Sequence, residues 1–329
     1  MSKKAFITGV TGQDGSYLAE WLLGKGYQVY GLVRGLPGAK LSHLDAVLKD
    51  PSKSFKMFEG SLTNSGRLTN LLWDLKPDEI YNLAAQSDDE VSISNPEYTG
   101  EINGLGPVRL LESLRQTGLP SRFFQASSSE MFGIPLESPQ TETTLLRPRS
   151  PYGFAKAYAH GMVSYYRDVH KLYAVSGILF NHESPRRGEG FVTRKITLAL
   201  AEILAGKREK LKLGNLEAGR DWGYAKDYVG AMWLTLQQAK PDDYVVATGE
   251  THSIREFLEE AFSYVKLDYK KYVESDPQLV RLVDVPATKG DSSKARKVLG
   301  WKPSVDFRQL VRLMVDADLK AMGLEALSH

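Results

Sequence analysis

Short apolar runs alternate with longer amphipathic segments through the first half of the chain: "KAFITGV", "YLAEWLLGKGY", "QVYGLVR", then "GRLTNLLWDLKP", "EIYNLAAQ", "GPVRLLESLRQTGL" and "RFFQASS". Short apolar runs separated by amphipathic, helix-length segments predict βαβ units and a parallel sheet. The short runs are apolar on both sides, as strands covered by helices on two faces should be. Further strands are expected at "LYAVSGILF" and "DYVVATG", and helices at "TRKITLALAEILAGK", "YAKDYVGAMWLTLQQA" and "SIREFLEEAFSYV". Beyond about residue 180 the alternation decays and loops bearing Arg and Gly become frequent. The pattern divides the chain into a first domain over 1–180 and a smaller, discontinuous mixed α/β lobe over 181–329, with a strand near 244–248 returning to the first sheet. No internal repeat or low-complexity linker separates the two.

Composition narrows the partners. The 329 residues are 42% hydrophobic and 25% charged, typical of a globular protein, and no apolar run reaches the length of a bilayer span. The opening "MSKKAFITGV" runs into a glycine turn without a small-residue cleavage site, so it reads as a first strand rather than a leader. With no cysteine there are no disulfides, thiolate metal sites or thiol nucleophiles, which fits a cytoplasmic protein. The six histidines show no metal-ligand spacing, so no metal is expected. A net charge of +2 makes nucleic acid a poor partner.

Candidate chemistry begins at "FITGVTGQDGSYLAEWLL", where Gly9, Gly12 and Gly15 lie between a strand and a helix. In that context glycines give a tight turn, close approach of backbone to a pyrophosphate, and close helix-to-strand packing, with the helix N-terminus facing the phosphates. This is the dinucleotide site of a Rossmann-type doubly wound α/β fold. The GxxGxxG spacing resembles that of the short-chain dehydrogenase/reductase superfamily. At the end of the second strand an NAD site would present an acid to the ribose, whereas this chain presents Arg34. A guanidinium there suits a 2′-phosphate, pointing to NADP; the alternative is a solvated loop arginine.

"RSPYGFAKAYAHGMV" reads as a helix start, with Ser150 to cap and Pro151 at the first helical position. Tyr152 and Lys156 then fall one turn apart on one face. A cation beside the phenol favours the phenolate, so the tyrosine can act as a base. Ser128, at the end of "RFFQASS", is the candidate hydroxyl partner, and Glu130 follows it where the strand should stop.

Taken together, "TGVTGQDGSYLAEWLL", "EIYNLAAQS", "ASSSEMFG", "RSPYGFAK", "GILFNHESPRRGEGFVTRK", "LGNLEAGRDWGYAKDYVGAMW" and "ATGETHSIREF" resemble the GDP-mannose 4,6-dehydratases, extended members of that superfamily, from about residue 3 to about 320. The resemblance implies a hydro-lyase that turns GDP-mannose into its 4-keto-6-deoxy derivative. Tyr152 would take the proton of the sugar 4-hydroxyl, Ser128 would hydrogen-bond that oxygen, and Lys156 would hold the cofactor ribose. Glu130 would remove the C5 proton and help expel the C6 hydroxyl, a second acid/base task that a plain dehydrogenase lacks.

By the same resemblance Gly9, Gly12, Gln13, Asp14 and Gly15 form the cofactor turn, and Arg34, Leu62, Leu83, Ala85, Gln86, His182 and Arg187 add cofactor contacts. Ser87, Asn181, Val192, Lys195, Gly214, Asn215, Arg220 and Arg281 would bind the nucleotide sugar; planar guanidinium groups suit its diphosphate. Arg186 and Arg187 are alternatively placed to reach a neighbouring subunit of a homodimer or homotetramer.

The chain departs from the family pattern in three places. "QSDDEVS" carries Asp88, Asp89 and Glu90 where a histidine and an apolar residue are usual; these acids either face solvent or repel Glu130 and the diphosphate from inside the pocket. Ser61 replaces an aspartate that approaches the adenine, and "RLVDVP" offers Arg281 and Asp284 without the usual proline. These leave a GDP-heptose dehydratase as one alternative. A 4-ketosugar reductase or 4-epimerase on the same framework is another, with Glu130 the discriminator.

Overall fold

The computed structural model describes residues 2–35, 41–50, 53–280, 285 and 287–325. In chain order the first half runs β1 (Lys4–Thr8), α1 (Gln13–Gly24), β2 (Gln28–Val33), α2 (Asp45–Leu48), β3 (Phe55–Glu59), α3 (Ser65–Leu75), β4 (Glu79–Asn82), α4 (Asp89–Ser94), α5 (Pro96–Gly100), α6 (Gly106–Thr117), β5 (Arg122–Ser128), α7 (Pro151–Asp168) and β6 (Ala174–Leu179). A π-helical turn at Glu101–Leu105 joins α5 to α6. The second half adds β7 (Asn181–Glu183), α8 (Val192–Leu204), β8 (Leu211–Leu213), β9 (Gly219–Arg220), β10 (Trp222–Tyr224), α9 (Ala225–Thr235), β11 (Tyr244–Val246), β12 (His252–Ser253), α10 (Ile254–Tyr264), β13 (Val273–Ser275) and α11 (Phe307–Ala321).

Seven strands form one parallel sheet in the order β11-β6-β5-β4-β1-β2-β3. This is the doubly wound α/β arrangement expected of the alternating pattern. The order reverses between β1 and β4, and ligands of such sheets bind in the crevice at the carboxyl ends of the strands there. β11 returns at the edge beside β6, with Tyr244 opposite Gly177.

Apolar clusters cover the two faces of the sheet. One gathers Ile7, Leu18, Leu22, Val29, Tyr81, Val229 and Met232; the other gathers Phe6, Leu68, Leu72, Ile80, Leu110, Phe123 and Val163. A separate cluster, including Leu200, Trp222, Phe257, Phe262, Leu310 and Met314, is built by α8, α10 and α11. Two of these helices are closed at their starts by capping boxes, Ser253 with Glu256 on α10 and Asp306 with Gln309 on α11, each satisfying two end groups of the backbone. No helix among the described residues is long and apolar enough to cross a membrane.

Candidate active site

The turn between β1 and α1 is formed by backbone crowding that side chains would prevent. Gly9 has φ of +71°, and a Cβ there would lie 2.7 Å from the Ala84 nitrogen; on Gly15 it would lie 2.2 Å from the Gly9 oxygen. β1, β4 and the start of α1 close up only because both positions are bare. Gly12 is the N-cap of α1 and supplies no side-chain cap, so the first-turn N–H groups point outward as an anion-binding end. Below this turn a buried polar ladder ties the strand ends together. Thr8 Oγ1 donates to Asn82 Oδ1 at 2.6 Å, and Asn82 Nδ2 donates to Gln125 Oε1 at 2.8 Å.

Gln13 and Asp14 bind α1 to β7. Gln13 donates to the His182 oxygen at 3.0 Å and accepts from Ser184 Oγ at 2.8 Å, so both ends of its amide are used within the protein. His182 Nε2 lies 2.8 Å from Asp14 Oδ2, its Nδ1 lies 2.7 Å from the Phe180 oxygen, and its ring stacks on Tyr228. Burial would raise the Asp14 carboxyl, but the facing His182, the Gln13 amide and Arg187 hold it below its ordinary range. Burial would likewise lower His182, yet Asp14 outweighs it and the imidazole is raised.

At the end of β5 the backbone enters a 3₁₀ turn, Ser129–Met131, whose cap is Ser128: its Oγ accepts from the Glu130 nitrogen at 3.2 Å. The start of α7 packs on that turn. A Cβ on Gly153 would lie 2.8 Å from the Glu130 oxygen, so only glycine lets the helix come this close. Lys156 is buried, 3% exposed, and its ammonium donates to the Ala126 oxygen at 2.7 Å while standing 5.6 Å from the Tyr152 ring centre. Desolvation pushes Lys156 down to about 8, against the pull of Asp14. Ser128, Glu130, Tyr152 and Lys156 therefore share one neighbourhood at the carboxyl end of β5, with the first three partly exposed.

The remaining expected residues fall into two groups. Along the cofactor crevice, Arg34 is exposed just beyond β2 and hydrogen-bonds the Tyr98 hydroxyl, Leu62 is buried under Gly106, and Leu83, Ala85, Gln86 and Ser87 follow β4. Gln86 is a brace: its amide N–H donates to Asn103 Oδ1 at 2.8 Å, its oxygen accepts from Asn103 Nδ2 at 2.7 Å, and its side chain accepts from Thr99 and donates to the Asp88 oxygen. The π-helical turn places Asn103 for these bonds.

Toward the second lobe, Asn181 opens β7, Val192 and Lys195 lie in the first turn of α8, and Gly214 and Asn215 follow β8. Arg220 on β9 donates to the Val285 oxygen at 2.7 Å. Arg281 and Asp284 lie outside the described residues. Arg187 pairs with the buried Glu183 at 3.1 Å and lies over Phe191. Arg186 is committed within its own chain, to Ser16 at 3.0 Å and Glu20 at 2.5 Å, across the Tyr17 ring.

Of the unusual acids, Glu90 and Asp88 are exposed to solvent, as one of the two alternatives had it, and Asp88 also has a local task. It is the N-cap of α4, accepting from the Val91 nitrogen at 3.0 Å, and its Oδ2 lies 3.8 Å from where a Cβ of Gly190 would sit. Ser61 turns on its own segment, bonding Thr63.

Several residues that shape the site carry no local motif. Tyr98 holds Arg34, Ser92 meets the Tyr152 amide at 2.9 Å, and Asp221, between β9 and β10, ties that segment to the chain after β11 and to Gly290. The fully buried Asp221 carboxylate accepts from Thr248 N, Thr248 Oγ1, Gly249 N and Gly290 N at 2.7–3.2 Å. Desolvation there outweighs these bonds and raises its pKa. In the sequence Asp221 stands between Arg220 and Trp222 in "GRDWG" with nothing local to mark its task, because its partners lie 27 to 69 residues away.

The fold and the strand-end Ser/Tyr/Lys set place the protein among Rossmann-type short-chain enzymes. A UDP-glucose 4-epimerase from Thermus thermophilus, solved in complex with NAD, superposes with a TM-score of 0.83 at 28% identity, covering 96% of this chain and 98% of that one. The family model described as GDP-mannose 4,6 dehydratase matches residues 6–314, and the chain belongs to that family. GDP-mannose 4,6 dehydratase 1 of Arabidopsis thaliana is 52% identical over 326 residues, 97% of this chain and 90% of the relative. The Homo sapiens GDP-mannose 4,6 dehydratase is 47% identical over 341 residues, 97% and 92% respectively.

Proposed function

We propose that the protein is an NADP-dependent GDP-mannose 4,6-dehydratase, a hydro-lyase that oxidises the sugar at C4, eliminates water across C5 and C6, and reduces C6. The observation that carries this reading is the placement of Glu130 within the 3₁₀ turn that Ser128 caps, its main chain against the start of the helix bearing Tyr152 and Lys156. Tyr152 removes the proton of the 4-hydroxyl, and Ser128 holds that oxygen. Once C4 is a ketone, the C5 hydrogen is acidic. Glu130 takes it and delivers a proton to the departing C6 hydroxyl, so that water leaves with its atoms balanced.

A nicotinamide dinucleotide supplies hydride acceptance and return when bound. The protein fits it: the bare Gly9 and Gly15 let β1, β4 and α1 close into a tight turn, and the uncapped N-terminus of α1 beside that turn offers N–H donors to a pyrophosphate. Arg34, held by Tyr98 at the end of β2, suits the 2′-phosphate that distinguishes NADP from NAD. The substrate set from Asn181 to Arg220 lines the side toward the second lobe, which is read as the nucleotide-sugar lobe beside a cofactor domain over 1–180.

A homo-oligomer, expected as dimer or tetramer, has a ready surface on α7, where Phe154, Tyr158, Tyr165 and Val169 form an exposed apolar stripe at helical spacing that a second copy of the helix would cover. The enzyme is read as cytoplasmic.

Incubation with GDP-mannose in deuterated water tests the reading. A 4-keto-6-deoxy product, formed without added NADPH and carrying deuterium at C5, is expected; stoichiometric consumption of NADPH would overturn it in favour of a reductase.

A further inference from the structure

An α-helix leaves its first N–H groups without intrahelical partners, and a helix start packed inside a protein must find acceptors for them elsewhere. At the start of α7 the accounting is complete. Pro151 has no N–H; the Gly153 nitrogen donates to Ser150 Oγ at 3.1 Å, and the Phe154 nitrogen to the Ser150 oxygen at 2.9 Å. The Tyr152 nitrogen alone reaches outside the local turn, to the Ser92 hydroxyl 60 residues earlier, at 2.9 Å. Ser92 is fully buried.

Ser92 sits on α4, the short helix that carries the unusual acids. That helix is itself hung from the strand end: Gln86 Nε2 donates to the Asp88 oxygen at 2.8 Å, the Asp88 carboxylate caps Val91, and Gln86 is fixed by Asn103 and Thr99. A continuous line of hydrogen bonds thus leads from the loop after β4 through α4 to the main chain of Tyr152. At the next residue, Gly153 abuts the Glu130 oxygen. The start of α7 thus touches both the arm that ends in Ser92, through the Tyr152 nitrogen, and the turn that bears Glu130, through Gly153.

We propose that Ser92 is a positioning residue for Tyr152, with α4 acting as a fixed arm that sets where the phenol stands relative to the sugar 4-hydroxyl. This rests on the reading of Tyr152 as the proton acceptor. Displacement of a reacting group by about 1 Å can cost two orders of magnitude in rate, so loss of one backbone anchor registers in the chemical step before it registers in binding.

The test compares Ser92→Ala, Ser92→Thr and Tyr152→Phe in kcat, in KM for GDP-mannose, in NADP affinity and in the single-turnover transient of reduced nicotinamide absorbance. Ser92→Ala is expected to lower kcat about ten-fold or more and to slow the transient by the same factor, with KM and NADP affinity within about two-fold of the parent. Ser92→Thr, which keeps the hydroxyl, restores most of kcat. Unchanged kcat in Ser92→Ala, equal losses in the Ala and Thr variants, or a loss confined to KM or cofactor affinity would overturn the proposal. Should Ser92→Ala fail to fold, the near-isosteric Ser92→Cys decides, since a weaker acceptor gives an intermediate kcat and a parental kcat refutes the role. Full turnover in Tyr152→Phe removes the reading of the tyrosine itself; an inactive Tyr152→Phe beside a parental Ser92→Ala removes only the inference about Ser92.

Discussion

At the carboxyl ends of β1 and β5, the site is shaped by missing side chains and by main-chain groups: Gly9, Gly15 and Gly153 allow backbone to touch backbone, and Lys156 is held by the Ala126 oxygen. Where β9 and β10 meet the return segment after β11, the fold is held instead by one buried carboxylate, Asp221, bridging Thr248, Gly249 and Gly290. The first region is expected to tolerate chemical change without releasing the fold, because its candidate catalytic side chains project from a backbone held by its own contacts. In the second the side chain is the joint, so its loss leaves several buried N–H groups without an acceptor. The difference separates residues that act from residues that hold.

The sharpest test of that separation lies at Glu130. Replacing it with Gln is expected to lower turnover by about two to four orders of magnitude, the usual worth of a positioned acid/base group. NADP affinity and the unfolding midpoint should stay at their parental values; a fall in both would put Glu130 with the holding residues. Asp221 should behave in the reverse sense. Asp221→Ala should cost about 3 kcal/mol in urea unfolding, and Asp221→Asn, which keeps one acceptor oxygen, about half as much. A parental midpoint for Asp221→Ala would break the contrast.

A smaller effect is expected at Arg34, where Arg34→Ala should weaken NADP about ten-fold and leave NAD nearly unchanged in a binding titration, as removal of a partner for the 2′-phosphate alone requires. Equal weakening of both dinucleotides would assign Arg34 to general packing.

The smallest effect concerns the Asp14–His182 pair, which belongs to both regions because it ties α1 to β7. Asp14 has a depressed pKa in the fold, so its contribution is present above the ordinary value of 3.8 and is lost as pH falls through the lowered one. His182 is raised, so its contribution is complete below the ordinary value of 6.5 and is lost as pH rises through the raised one. The stability difference between the parent and His182→Gln should therefore be largest between those two ordinary values, at about 1 kcal/mol, and should decline on both sides. A difference that stays level through the alkaline limb would show that the pair is held by packing on Tyr228 rather than by charge.

Much of the first half was legible because its signals are local. Strand and helix periods mark β1, β2, β4, β5 and β6, and Gly9, Gly12 and Gly15 mark the turn that the backbone crowding explains. β3 escapes such a reading because "FKMFE" is a half-exposed edge strand with charged residues facing out. α11 escapes it for the opposite reason. "FRQLVRLMVDADLK" shows acids among its apolar positions, yet Asp318 is buried and paired with Arg194 at 2.7 Å and Thr197 at 2.6 Å on α8. The four candidate catalytic residues could be read from type and order. Ser92, Asn103 and Asp221 could not, since each works through a partner brought near only by the fold. The acids of "QSDDEVS" were visible as a departure, but Asp88 as a helix cap became visible only with α4 in place.

The buried ammonium of Lys156 carries a consequence for the proton inventory of the whole molecule. In the folded chain it titrates at about 8, while the unfolded chain keeps the same proton up to the ordinary lysine value of 10.5. Between these limits folding expels a proton into the solvent, and alkalinity draws the equilibrium toward the folded form. Below them, the native state carries Lys156 as a buried cation at the cost of its desolvation, so protonation of this one side chain opposes folding.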